Sequence, residues 1–226
     1  MDCQFCTEFT TREHPTRIIT ETPGSWLLLP TVGAFTPGYC LFMPVEHLDA
    51  AADLTPAHLR RVAAEVEEMR TLIQNRYGPT ILAEHGPRDC ELGASCCSHC
   101  HLHLIPVPDP DVITAAYERS GGPGRRLGSM AELPTAADGS YLYLSPRHGE
   151  HHYWPSAGFA RQFVRRVCAD ALGIGDSFDW RDHPFTTHRE RTFAELSSDL
   201  HIADAACRRK GGTARWRQPC PARYTH

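Results

Sequence analysis

The sequence predicts an α+β domain built on a mostly antiparallel, five-stranded sheet with one long helix packed against it. Three observations predict that class. Short apolar segments lie before and after a single long stretch of helical periodicity, and no β-α-β-α alternation repeats along the chain. The segment "SCCSHCHLHLIPVP" (95–108) places His99, His101 and His103 at every second position, which is the period of a strand.

The elements follow in order. "TRIITET" (16–22) and "SWLLLP" (25–30) read as strands separated by Pro23-Gly24. "PGYCLFMP" (37–44) is nearly all apolar and is expected to be buried on both faces. Thr55-Pro56 opens a helix. Leu59, Val62, Ala63, Val66, Met69 and Ile73 recur at three and four along it, and Tyr77-Gly78-Pro79 stops it. "TILAEHG" (80–86) is the fourth strand and the histidine stretch the fifth. Residues 109–140, rich in Gly, Pro, Ser and Asp, read as an excursion or linker. "YLYLS" (141–145) resumes as a strand, and "GFARQFVRRVCADAL" (158–172) is an amphipathic helix. The expected organisation is a core over 1–108, an extension packed on it over 109–207, and a disordered tail over 208–226 carrying six basic residues and no acid.

Composition excludes several classes. A chain of 226 residues with 41% hydrophobic and 22% charged residues is ordinary for a globular protein. The net charge of −4 argues against a general nucleic-acid binder, which would show a basic face. No apolar run approaches the ~20 residues of a membrane-spanning helix, and the N-terminal segment lacks signal-peptide blocks, so no membrane partner and a cytoplasmic location are expected. Ten cysteines without a secretory signal point to metal binding or chemistry rather than a disulfide framework. Cys3 and Cys6 form a C-x-x-C, while Cys90, Cys96, Cys97 and Cys100 crowd the histidines.

On a strand, His99, His101 and His103 line one face, roughly 6.5 Å apart in succession, and Cys100, Leu102 and Leu104 point the other way. A neutral imidazole, with an unperturbed pKa of ~6.5, is a competent nucleophile toward phosphorus at pH 7. Three imidazoles in strict alternation with apolar partners are an uncommon pattern for purely structural histidines.

The run His99-Cys100-His101-Leu102-His103-Leu104-Ile105 resembles the signature of the histidine-triad (HIT) superfamily of nucleotide hydrolases and nucleotidyltransferases. "MPVEH" (43–47) and the N-terminal C-x-x-C are similar to its zinc-bearing bacterial branch. The resemblance covers residues 1 to about 108. It implies a HIT-like fold, a nucleoside 5′-phosphoryl substrate and a covalent nucleotidyl-histidine on His101. His103 would then donate to a non-bridging oxygen, and a homodimer would form by sheet extension. The family's Gly-Gln-Ser-type donor stretch is replaced here by Ala94-Ser95-Cys96-Cys97-Ser98, where Ser95 and Ser98 stand in for it. His85 and Arg181, the latter beside Trp180, are further candidate substrate contacts. Cys3, Cys6, His47 and His99 have the composition of a closed tetrahedral zinc site, and by resemblance the zinc is structural and leaves His101 free. The competing set is Cys97 and Cys100 with Cys90 and Cys96.

Other function classes stay open on sequence alone. One is a non-catalytic zinc-containing module that binds nucleotides or a protein partner. The other is a metal-dependent hydrolase using the trio itself as ligands.

Overall fold

The computed structural model describes residues 3–11, 18–87 and 99–209. Helix α1 (Gln4–Thr11) precedes strands β1 (Thr20–Glu21), β2 (Trp26–Pro30) and β3 (Cys40–Pro44). Helix α2 (Pro56–Tyr77), β4 (Thr80–Gly86) and β5 (Leu102–Pro106) complete the first half. Then come α3 (Pro110–Gly121), β6 (Arg125–Leu127), α4 (Leu133–Ala136), β7 (Tyr141–Ser145), β8 (His151–Pro155), α5 (Phe163–Ala171) and α6 (Thr186–Arg209). All eight strands join one sheet in the order β1-β2-β3-β5-β4-β7-β8-β6, and every pairing is antiparallel.

The α+β class and antiparallel sheet stand, but the sheet has eight strands, not five. Three strands come from the second half of the chain, where only "YLYLS" was expected. Strand β7 pairs along the whole of Leu82–Gly86 on β4, so the sheet continues across residue 108. Residues 109–140 are not a linker. Asp109 caps α3, its side chain accepting from the Asp111 N–H at 2.9 Å, and Pro110 fills the first turn, where no N–H is needed. At the end of the histidine-rich segment "RHGEHHYW" (147–154), β8 (His151–Pro155) pairs with β7.

Alternation sorts the sheet's side chains into two cores. On one face Leu28, Phe42, Leu82, Leu102 and Leu104 pack under α2, through Leu59, Val62, Val66, Met69 and Ile73, with Leu196 and Leu200 of α6. On the other, Leu27, Leu29, Leu41, Ala83, Ile105 and Leu144 pack under α3 and α5. Both faces are covered, which is why β2, β3, β4, β5 and β7 are buried at every residue. Burying the five apolar side chains of α2 contributes on the order of 10 kcal/mol.

Helix α2 begins as its sequence dictates. The Thr55 side chain accepts from the His58 N–H at 3.3 Å, and Gly78, at φ +92°, ends the helix. Arg70 is the exception on its apolar face. Fully buried, it donates to the Thr80 carbonyl (2.6 Å) and to the carbonyl and hydroxyl of Ser145 (both 3.0 Å). One guanidinium thus ties α2 to the start of β4 and the end of β7. The expected helix over 158–172 is shorter, Phe163–Ala171, because Gln162 before it adopts φ +56°. No helix among the described residues is long and apolar enough to cross a membrane.

Candidate active site and metal centre

The histidine trio enters the sheet rather than lying wholly in it. Strand β5 starts at Leu102, so His103 sits in the ladder between Leu41 and Ala83 while His99 and His101 lie in the segment leading in. The alternation survives: Cys100, Leu102 and Leu104 enter the core under α2. All three imidazoles are buried, His99 fully, His101 at 6% and His103 at 4% exposure.

Each ring is fixed by a different partner. The His101 Nδ1 lies 2.7 Å from the His99 carbonyl. A carbonyl only accepts, so the proton of the neutral ring is on Nδ1 and the lone pair on Nε2. His99 is held the other way round: its Nε2 donates to the Pro44 carbonyl at 2.9 Å, which leaves its Nδ1 as an acceptor. His103 Nδ1 is 2.8 Å from the Tyr39 hydroxyl, and its buried Nε2 has no hydrogen-bond partner among the described residues. The His101 and His103 ring centroids are 4.8 Å apart, and His85 stands edge-on to His103 at 5.6 Å.

Burial governs the charge of this face. It pushes His103 well below the usual imidazole range, with His101, His85 and Arg165 adding to the effect. Burial, then His101 and Arg165, lowers His85 to about 3. His85 Nε2 accepts from the Val164 N–H of α5 at 3.2 Å, so it is an unprotonated acceptor there.

Beside the trio, the ligand atoms of Cys3, Cys6, His47 and His99 all lie within 4.8 Å of one another. Cys3 Sγ is 3.4 Å and Cys6 Sγ 3.6 Å from His99 Nδ1, and Cys6 Sγ is 3.4 Å from His47 Nδ1. Tetrahedral zinc bonds of ~2.3 Å to sulfur and ~2.0 Å to nitrogen would separate neighbouring ligands by about 3.5 Å. The second ring nitrogens also fit a metal ligand's needs. His99 Nε2 donates to Pro44, and His47 Nε2 faces the Asp49 carboxylate at 3.3 Å. Four such ligands would fill a tetrahedral coordination sphere. The cluster includes His99 but neither His101 nor His103.

The remaining expectations divide. Ser95 and Ser98, with Cys90, Cys96 and Cys97, lie outside the described residues. Cys100 is buried on the α2 face, with its Sγ 3.4 Å from Glu84, away from the other cysteines described. His85 is on the trio's face. Arg181 does not enter that face among the described residues: its side chain is 54% exposed and pairs with Asp179. His151 faces the Tyr143 hydroxyl on the α2 side.

Sequence reasoning missed three contributors. Helix α1 carries Phe5 and Phe9 against His99, at 5.7 and 5.9 Å. Tyr39 partners His103, and Arg165 of α5 lies over Phe35 and Tyr39 at 5.1 and 5.3 Å. The available signal for α1 was Phe5 and Phe9 spaced four apart around Cys6.

A Cys₂His₂ cluster abutting a trio of buried, tautomerically fixed imidazoles on an antiparallel sheet defines a candidate metal-braced histidine site. No family model matches the chain. It is 24% identical over 221 residues to zinc finger CCCH domain-containing protein 64 of Arabidopsis thaliana, a match that covers 86% of this chain. The chain spans about a third (34%) of the length of that curated relative. Among solved structures it is similar to a hypothetical histidine triad nucleotide-binding protein from Sulfolobus tokodaii, at 19% identity and a TM-score of 0.39, covering 46% of this chain and 68% of that one. It is also similar to a HIT family protein from Bacillus anthracis (23% identity, TM-score 0.38, 46% and 72% covered). A third is a HIT family member from Bacillus subtilis (18% identity, TM-score 0.40, 47% and 73% covered).

Proposed function

We propose that the chain is a zinc-braced nucleotidyl hydrolase or transferase of the histidine-triad type, acting on a nucleoside 5′-phosphoryl compound. The observation that carries this reading is the 2.7 Å bond from His101 Nδ1–H to the His99 carbonyl, which puts the lone pair of the neutral ring on Nε2. The motif His99-Cys100-His101-Leu102-His103 and the Cys3, Cys6, His47, His99 cluster support it.

In the first step His101 Nε2 forms a bond to the α-phosphorus as the bond to the leaving group breaks, and the leaving group takes the electron pair. The Nδ1–H stays on the His99 carbonyl, which disperses the positive charge arising on the ring. His103, kept neutral by burial, presents its unpaired Nε2 as donor to a non-bridging oxygen when Tyr39 donates to Nδ1. In the second step the oxygen of water, or of another acceptor, attacks phosphorus. The P–N electron pair returns to His101, the nucleotidyl product leaves, and the acceptor's proton passes to solvent. Cys3, Cys6, His47 and His99 would hold a zinc ion, which would supply a structural cross-link between the N-terminal helix, the segment after β3 and the segment ahead of β5.

The test is incubation of wild type and His101→Ala with α-labelled ATP, diadenosine polyphosphate and adenosine phosphoramidate. The expected result is acid-labile labelling or turnover in the wild type and neither in the variant. Undiminished turnover by His101→Ala would remove His101 as nucleophile.

A further inference from the structure

The trio's face is roofed by α5, which brings a buried cation to it. Arg165 is 4% exposed, and its guanidinium lies over the rings of Phe35 and Tyr39. Its Nε donates to the Phe178 carbonyl at 2.7 Å and its Nη2 to the Gly33 carbonyl at 2.6 Å. Both acceptors are neutral. Among the described residues no carboxylate forms an ion pair with Arg165, and its Nη1 has no hydrogen-bond partner. The exposed arginines are treated differently: Arg76 pairs with Asp199, Arg147 with Asp111, Arg181 with Asp179 and Arg191 with Glu195. Buried Arg70 too has a carboxylate, Glu67 at 3.4 Å, whereas the charge of Asp179 reaches Arg165 without an ion pair between them.

A second polar group on the same face is also unsatisfied. Among the described residues His103 Nε2 is buried without a partner, and His103 is joined through its Nδ1 to Tyr39, the ring over which Arg165 lies. The two vacant donors therefore flank one aromatic side chain, at the end of the trio opposite the cysteine cluster. The fold builds this approach deliberately. Gly33, at φ +70°, lets Trp180 and the Arg165 guanidinium close onto the β2–β3 loop, and a Cβ at Gly33 would lie 2.8 Å from Nη2.

We propose that Arg165 is the anion receptor of this site, and that the compound taken there carries a second phosphate beyond the one His101 attacks. The inference rests on the proposed function for the position of the reacting phosphorus. A planar guanidinium with a free edge suits phosphate oxygens, and the leaving group it favours is a phosphate chain rather than an amine. Nucleoside polyphosphates and dinucleoside polyphosphates fit. A nucleotide phosphoramidate, whose leaving group carries no phosphate, does not use the receptor. An anion bound there would add a direct charge partner to the longer-range one that Asp179 gives Arg165.

The experiment compares wild type, Arg165→Gln and Arg165→Lys, all first checked for fold by circular dichroism and thermal melting. Calorimetric binding of inorganic pyrophosphate is read without any turnover. Separately, kcat/KM is measured for diadenosine tetraphosphate and for adenosine phosphoramidate. Arg165→Gln is expected to weaken pyrophosphate binding by about tenfold or more, since one charge-assisted contact is worth about that factor. It should lower the ratio of polyphosphate to phosphoramidate kcat/KM by a similar factor, with Arg165→Lys recovering part of both. Absence of pyrophosphate binding to the wild type, binding unchanged in Arg165→Gln, or equal losses on both substrates would overturn the proposal. Loss of the proposed function would look different: His101→Ala would keep its turnover, while the pyrophosphate measurement would still report on Arg165.

Discussion

His85 is a test of how tightly α5 seals the trio's face. Its ring faces His101 and His103 from the β5 side and Arg165 from α5, and its Nε2 takes the Val164 N–H. Burial, then His101 and Arg165, hold it at about 3, against about 6.5 in an unfolded chain. The folded state therefore refuses a proton that the unfolded state accepts, and stability falls as pH drops from about 6.5 toward 3. At pH 5 the unfolded ring gains about 1.5 pH units of protonation free energy, which is about 2 kcal/mol; at pH 7 the same effect is a few tenths. Urea unfolding at pH 7 and pH 5 measures this, with His85→Gln as the comparison because its amide oxygen still accepts from Val164. The quantity compared is each protein's own loss between the two pH values, so the substitution's fixed cost cancels. The wild type should lose about 2 kcal/mol more than His85→Gln, a midpoint difference of about 1 M at a slope of about 2 kcal/mol/M. Equal losses would mean that His85 titrates in the folded protein and that α5 does not seal this face.

Three further outcomes follow from other parts of the fold. Cys3→Ser/Cys6→Ser should lose its bound zinc by elemental analysis, and full retention would place the metal elsewhere. Arg70→Met leaves the Thr80 and Ser145 carbonyls unpaired in the interior and should cost about 3–5 kcal/mol in urea unfolding, whereas a change below about 1 kcal/mol would show that the clamp is not structural. The described sheet ends on two-residue β1 and on three-residue β6, whose Arg125 and Arg126 are exposed, and the chain's own β7 covers β4. Short, charged edges resist pairing, so light scattering should find a monomer rather than the sheet-extended dimer that the resemblance implies; a dimer disrupted by substitutions in β6 would refute this.

What could be read from the sequence was what local periodicity controls. The 3.6-residue repeat of Leu59, Val66 and Ile73 and the two-residue repeat of the histidines each specify a face without reference to the rest of the chain, and both faces are where the periods put them. The Cys₂His₂ set was equally legible from its composition, and its four ligand atoms lie within 4.8 Å of one another. Strands β6 and β8 were not, because their polar histidines and arginines become strand only by pairing with β7 and each other. Helix α3 announced itself through Asp109-Pro110 and Gly122, signals that the surrounding turn-rich composition obscured. Arg165 lay beyond any local rule. In "FVRRVC" it is indistinguishable from Arg166, yet Arg165 is buried under the β2–β3 loop and Arg166 is exposed.

The same division governs the chemistry. Alternation puts three imidazoles on one face, but it does not say where their protons are. Those positions come from outside the strand. The His99 carbonyl holds the proton of His101 at Nδ1, and that carbonyl is fixed because the His99 ring is pinned between Pro44 and two cysteines, Cys3 just before α1 and Cys6 on it. At the other end Tyr39, under Arg165, determines which nitrogen of His103 faces the site. An isolated β-strand peptide with the same histidines would populate both tautomers of each ring. The nucleophile is therefore a property of the N-terminal helix, the β3 strand and the C-terminal extension acting on the trio together, and truncation after residue 108 would keep the motif while removing the roof that keeps His85 and His103 uncharged.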